Sequence, residues 1–269
     1  MHVEVIGQGD PLVMLHGWGM HGGIWSETAV QLAQHFQVHC VDLPGYGQSQ
    51  EKRKEGREKG NCGPEVSPFT LESVVDVLSA EFDTPINLCG WSLGGQIALH
   101  WAKRESEKIK RLVLVTSTPC FVEREDWLFG MPQHILQQFA DDLEKNHAAT
   151  LRRFLGLQMR GSEQEREVLA VLRERLFSRG EPDMDALRGG LAILRDADLR
   201  DVLPEITQPA LVIAGERDKL SSPQASHYLA QKLSNARSVE IKGAAHAPFL
   251  SHRDEFVEQV KEFMKDKAI

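Results

Sequence analysis

NLCGWSLGGQ, residues 87–96, sets Ser92 between Gly90 and Gly94. The residues before it, INLCG, form a short apolar run of strand character. The residues after it, LGGQIALHWAKR, have the spacing of an amphipathic helix from Leu93 to Arg104. A serine at so sharp a strand-to-helix turn projects from the edge of a sheet, where Gly90 and Gly94 let the turn close and Gly95 eases packing. The helix start also directs backbone N–H groups at any negative charge that develops beside the serine. Because G-x-S-x-G is short and common, its weight depends on what surrounds it.

Outward from this turn the chain alternates strand and helix. VEVIGQGDPLVMLHGWG reads as two short strands around a Gly-Gln-Gly-Asp turn, followed by a helical stretch from Ile24 to His35 and the strand FQVHCVDLPG. A helix is expected around Leu71 to Phe82, then the serine turn, then the strand RLVLVTSTP. Near the end, PALVIAGERD and RSVEIKGAAH read as strands, and PQASHYLAQKLS and RDEFVEQVKEFMKD as helices. Continuous apolar strands alternating with helices predict an α/β fold, a mostly parallel twisted sheet covered on both faces.

Residues 121–203 break the rhythm. Helical spacing dominates WLFGMPQHILQQFADDLEKN, ATLRRFLGLQ and EREVLAVLRERLF, which predicts an all-helical lid between core segments 1–120 and 204–269. Such an insert would cover the C-terminal edge of the strands, where open α/β sheets bind ligands. Residues 50–66, QEKRKEGREKGNCGPEV, read as a solvated charged loop.

A serine hydroxyl is a weak nucleophile and needs a base, itself oriented by an acid. For a serine on such a turn the partners follow in the order serine, acid, histidine. LVIAGERDKL presents Asp218 just past a strand, and EIKGAAHAPFL presents His246 past the next one. Glu216, two residues before Asp218, is the alternative acid. Of the eleven histidines, His134 and His147 fall in the insert, His100 on a helix and His252 before the last helix. The oxyanion would take the N–H of Leu93 and, from LHGWGM after the first apolar strand, that of Trp18.

Composition narrows the field. The 269 residues are 41% hydrophobic and 26% charged, ordinary for one soluble α/β domain. A net charge of −8 argues against general nucleic-acid binding. No apolar run approaches the ~18 residues of a membrane span, and the N-terminus lacks signal-peptide character, so a cytoplasmic monomer is expected. Cys40, Cys62, Cys89 and Cys120 are scattered and expected to be reduced, with Cys89 a small core residue. His16 and His21 lie five apart with no carboxylate cluster around them, and no nucleotide or zinc motif occurs, so neither metal nor cofactor is expected.

HGWGMHGGIW, VDLPGYGQS, GWSLGG, LVIAGERD and GAAHAPFLSH together resemble an α/β-hydrolase over nearly the whole chain. More narrowly they are similar to the biotin-pathway esterases that cleave the methyl ester of pimeloyl-acyl carrier protein. That resemblance implies that RFLGLQ, through Phe154, Leu155, Gly156, Leu157 and Gln158, contacts substrate together with Trp18, Ser92, Leu93 and His246. It also implies docking of an acidic acyl carrier protein on a basic lid. From His147 to Ser162 there are three arginines and no acid, and Arg152, Arg153, Arg160 and Arg166 are the candidates. The 50–66 segment departs from the family, whose members have fewer residues there. The same scaffold also carries short-chain carboxylesterases, lactonases and carbon–carbon hydrolases that act on small esters and related substrates. A ligand-sensing protein with little turnover is the remote alternative.

Overall fold

The computed structural model describes residues 1–50 and 69–265. Seven strands form one sheet: β1 (His2–Ile6), β2 (Pro11–Leu15), β3 (Gln37–Asp42), β4 (Ile86–Trp91), β5 (Ile109–Val115), β6 (Ala210–Gly215) and β7 (Ala236–Ile241). Their spatial order is β1-β3-β2-β4-β5-β6-β7. Only β1, paired with β3, runs antiparallel; the remaining neighbours are parallel. β1 and β2 therefore do not form a hairpin across their glycine turn: β3 lies between them.

Strands β4 and β6 are buried at every residue, and β2 at every residue after Pro11. Unbroken burial explains why they read as apolar runs rather than alternating patterns. The connecting helices are α1 (Ser26–Leu32), α2 (Leu71–Glu81) and α3 (Leu93–Arg104). Helix α2 starts at a capping box, in which Thr70 and Ser73 satisfy each other's backbone N–H groups. Between β5 and β6 come α4 (Gln133–Lys145), α5 (His147–Met159), α6 (Glu165–Arg175) and α7 (Met184–Asp196). The chain finishes with α8 (Pro223–Lys232), the single turn α9 (Pro248–Ser251) and α10 (Arg253–Lys265).

Strand order dictates where ligands can reach. From β2 the chain steps to β3 on one side, then crosses over β2 to β4 and proceeds in the opposite direction through β5, β6 and β7. Right-handed crossovers then place α1 on one face and α2, α3 and α8 on the other. Helix α10 returns to pack against α1. The loops leaving β2 and β4 diverge to opposite faces, opening a crevice at the C-terminal ends of those strands. Ser92 follows β4 and Trp18 follows β2.

Helices α4 to α7 are fastened to the core by polar contacts. Asp42, fully buried at the end of β3, accepts from Gly22 N at 2.7 Å, Gln48 N at 2.8 Å and Arg179 Nη1 at 3.1 Å. Arg179 also pairs with Glu4, and Arg175 pairs with Glu27 at 2.9 Å. The buried carboxylate is thus neutralised and fully hydrogen-bonded, the condition under which burying a charge is tolerated. Cys40, Cys89 and Cys120 are buried free thiols, and burial pushes the Cys40 thiol up to about 12. Cys62 and the charged stretch beyond Gln50 lie outside the described residues. Among the described residues, no helix is long and apolar enough to cross a membrane.

Candidate active site

Ser92 sits between β4 and α3 with φ 55° and ψ −117°, a backbone region that costs a non-glycine residue roughly 1–3 kcal/mol. Its N–H donates to Val115 O at 3.0 Å, and its carbonyl accepts from Gly95 N and from Ser117 Oγ, both at 2.9 Å. These bonds hold the strained turn and leave the side chain half-buried at its apex. A Cβ on Gly90 would collide with the Gly94 carbonyl, so the turn closes only with glycine there.

Asp218 and His246, 28 residues apart, meet at the C-terminal ends of β6 and β7. His246 Nδ1 lies 2.8 Å from Asp218 Oδ2, and both residues are buried, 1% and 3% exposed. The other carboxylate oxygen, Oδ1, accepts from Leu220 N at 2.8 Å and Ser221 N at 3.1 Å. A carboxylate oxygen only accepts, so Nδ1 carries the hydrogen and the Nε2 lone pair is left free. Among the described residues the buried Nε2 has no hydrogen-bond partner, and buried polar atoms of that kind call for a functional explanation. Glu216 instead accepts from Gly243 N at 2.9 Å and stands 3.7 Å from Arg217. It is Asp218, not Glu216, that the structure brings to the imidazole.

The Gly17-Trp18 loop lies against the serine: a Cβ on Gly17 would be 3.3 Å from Ser92 Cβ. Trp18 N–H has no acceptor among the described residues, and Leu93 N–H, at the first position of α3, has no intrahelical one. Both amides are therefore available beside Ser92. The loop is held by His16, which is fully buried. Its Nδ1 donates to Gly17 O at 2.8 Å, and its Nε2 accepts from Leu43 N at 3.1 Å. Burial lowers the His16 pKa to about 4, so the ring is neutral. His16 is thus a scaffold for the loop, a role that the spacing of His16 and His21 does not reveal.

The inserted helices approach from above. The Trp18 indole donates to Leu187 O on α7 at 2.9 Å and meets Phe154 on α5 edge-on, centroids 5.0 Å apart. Phe154, Leu155 and Gln158 are buried, Gly156 and Leu157 half-buried. His246 N–H donates to Gln158 O at 3.1 Å, which ties α5 to the loop that carries the imidazole. The arginines differ among themselves. Arg153 pairs with Asp142 at 2.6 Å and lies over the Phe139 ring, whereas Arg152 lies over Phe177. Arg160 and Arg166 are exposed. His134 lines a cavity of about 480 Å³ between α4 and α7, floored by Leu136, Ala140, Leu143 and Leu191, whose lining does not include Ser92 or His246.

The chain matches the alpha/beta hydrolase fold family model over residues 10–253. It is 40% identical over 267 residues to a Nitrosospira multiformis protein named pimeloyl-[acyl-carrier protein] methyl ester esterase, covering 98% of both chains. A Chromobacterium violaceum protein of the same name is 41% identical over 268 residues, 100% of this chain and 99% of its own. Among solved structures, an esterase from Exiguobacterium antarcticum superposes with a TM-score of 0.85 at 22% identity, covering 98% of this chain and 95% of that one. Strand order, the serine turn at the switch point and these matches along nearly the full length lead to one assignment: the chain belongs to the α/β-hydrolase fold family.

Proposed function

We propose that this protein is a serine carboxylesterase that hydrolyses the methyl ester of pimeloyl-acyl carrier protein, with Ser92 as nucleophile, His246 as base and Asp218 as its orienting acid. The observation that carries the reading is the buried Asp218–His246 hydrogen bond, with His246 Nε2 unpartnered among the described residues and the His246 carbonyl held by Trp91, the residue before a half-buried serine on a strained turn. The names of relatives about 40% identical over the whole chain supply the substrate class.

In this reading Ser92 Oγ attacks the ester carbonyl while His246 Nε2 takes its proton. Negative charge develops on the carbonyl oxygen and is met by the N–H groups of Trp18 and Leu93. Losing one such donor costs an esterase about 3 kcal/mol of transition-state stabilisation. Collapse of the tetrahedral adduct passes the proton from Nε2 to the departing methoxy oxygen, releasing methanol. His246 then deprotonates a water that attacks the acyl-enzyme, and the free carboxylate leaves with Ser92 restored. Asp218 holds the imidazole in the tautomer that both halves require.

Helices α4 to α7 act as the lid, with Phe154 to Gln158 and Trp18 lining the acyl site. The carrier protein docks on exposed arginines of α5 and α6 and on Arg160, the residue that ends α5. Arg160 and Arg166 are the better candidates, because Arg153 is already neutralised by Asp142. The test compares kcat/KM for methyl pimeloyl-acyl carrier protein with that for dimethyl pimelate at low and high salt. A preference for the carrier-linked ester that salt erodes supports the reading, since screening weakens exposed charge contacts. Equal values at both salt concentrations refute carrier recognition.

A further inference from the structure

We infer that Thr116, with Ser117, is a positioning residue that fixes the imidazole of His246 relative to Ser92; this rests on the reading of those two residues as base and nucleophile. Three consecutive residues at the end of β5 touch both. Val115 O accepts the Ser92 N–H at 3.0 Å, and Ser117 Oγ donates to the Ser92 carbonyl at 2.9 Å. Between them, Thr116 Oγ1 donates to the His246 carbonyl at 2.8 Å. The same carbonyl accepts from Trp91 Nε1, one residue before the serine, at 2.7 Å. Nucleophile and base come from loops more than a hundred residues apart in sequence, yet their backbones share one short brace.

The brace is strained. Thr116 has φ 42°, and it and Ser92 (φ 55°) are the non-glycine residues with positive φ among the described residues. A β-branched residue in that region is a true outlier, and such conformations persist only where the surroundings over-determine them. Here Thr116 N–H donates to Ile213 O at 2.7 Å, and the residue is fully buried. The conformation aims the hydroxyl at His246, which glycine or asparagine, the residues that tolerate positive φ best, would not do. Gly95 has no side chain where one would strike the Ser117 hydroxyl, so α3 approaches closely enough for Ser117 to reach Ser92. Serine–base alignment enters the rate through the geometry of proton transfer, and small misplacements there are costly.

The experiment measures kcat and KM on a short p-nitrophenyl ester for Thr116→Val, Thr116→Ser and Ser92→Ala, with folding checked by circular dichroism. Thr116→Val keeps shape and branching but removes the donor. It is expected to lower kcat about tenfold with KM within about twofold of wild type. Thr116→Ser, which restores a hydroxyl, is expected to recover most of the loss. If Thr116→Val fails to fold, Thr116→Gly, which accepts φ 42° without strain, makes the same measurement. A folded Val or Gly variant with wild-type kcat overturns the inference, as does a Ser variant no better than Val. Ser92→Ala separates the two levels. If it is inactive while Thr116→Val is normal, only the brace is refuted; if it stays active, the reading of the site falls and the brace with it.

Discussion

His16 makes the stability of the fold around the Gly17-Trp18 loop dependent on pH, and the size of the effect follows from its surroundings. The ring is fully buried, with Nδ1 donating to Gly17 O and Nε2 accepting from Leu43 N. A proton on Nε2 would turn that acceptor into a donor facing another donor. Burial is the main cause of the lowered pKa; Asp42 favours the charged ring, while His21 and Arg179 oppose it. The folded value is about 4 against an ordinary 6.5. Between these values the unfolded chain binds the extra proton and the folded one does not, so stability rises with pH across that window and is lost as pH falls. At 1.36 kcal/mol per unit, the full loss below pH 4 is about 3 kcal/mol. The assay is urea unfolding of wild type and His16→Asn at pH 7 and pH 4.5. Carboxylate protonation is common to both proteins, so their difference isolates His16. Wild type should exceed the variant by about 2–3 kcal/mol less at pH 4.5 than at pH 7. A difference that does not change with pH would refute the assignment of His16 as an obligatorily neutral hydrogen-bonding bridge.

Other outcomes are expected from the same structure. Asp218→Asn should lower kcat on p-nitrophenyl esters by about 10⁴, because an amide nitrogen facing Nδ1 favours the wrong imidazole tautomer; a loss below tenfold would shift the acid's role elsewhere. Gly95→Ala, whose methyl would strike Ser117, should cost about 1–3 kcal/mol in denaturant unfolding and lower activity with it. Arg160→Glu combined with Arg166→Glu should reduce kcat/KM for the carrier-linked ester and leave dimethyl pimelate unchanged; equal losses on both would remove the docking surface. Gly190→Ala should displace the Trp18 indole, since its Cβ would lie 2.6 Å from Trp18 Cδ1, and the intrinsic fluorescence should report the shift. An unchanged emission spectrum would count against that packing.

Much of this protein was legible along the chain because the relevant signals are local. The bounds of α3, Leu93–Arg104, coincide with the amphipathic stretch after the serine, because periodicity and the glycine turn act within a few residues. Strands β4 and β6 read as apolar runs because they are buried at every residue. Ser92, Asp218 and His246 each announce themselves at a strand's end, which is a property of position in the alternating pattern. Pairing was not legible. The separation of β1 and β2 by β3 depends on which apolar edges meet in space, and two short strands around a turn carry no mark of it. The neutral role of His16 depends on Leu43, and the pairing of Arg153 depends on Asp142 one helix away. Thr116 is the extreme case: nothing in RLVLVTSTP hints that a threonine takes a left-handed backbone to reach a carbonyl 130 residues later. Sequence determined the elements and the residues that end them, because propensity and burial are written within a few positions. Tertiary structure alone decided which polar groups satisfy one another, because a buried hydrogen bond is chosen by distance in space and not along the chain.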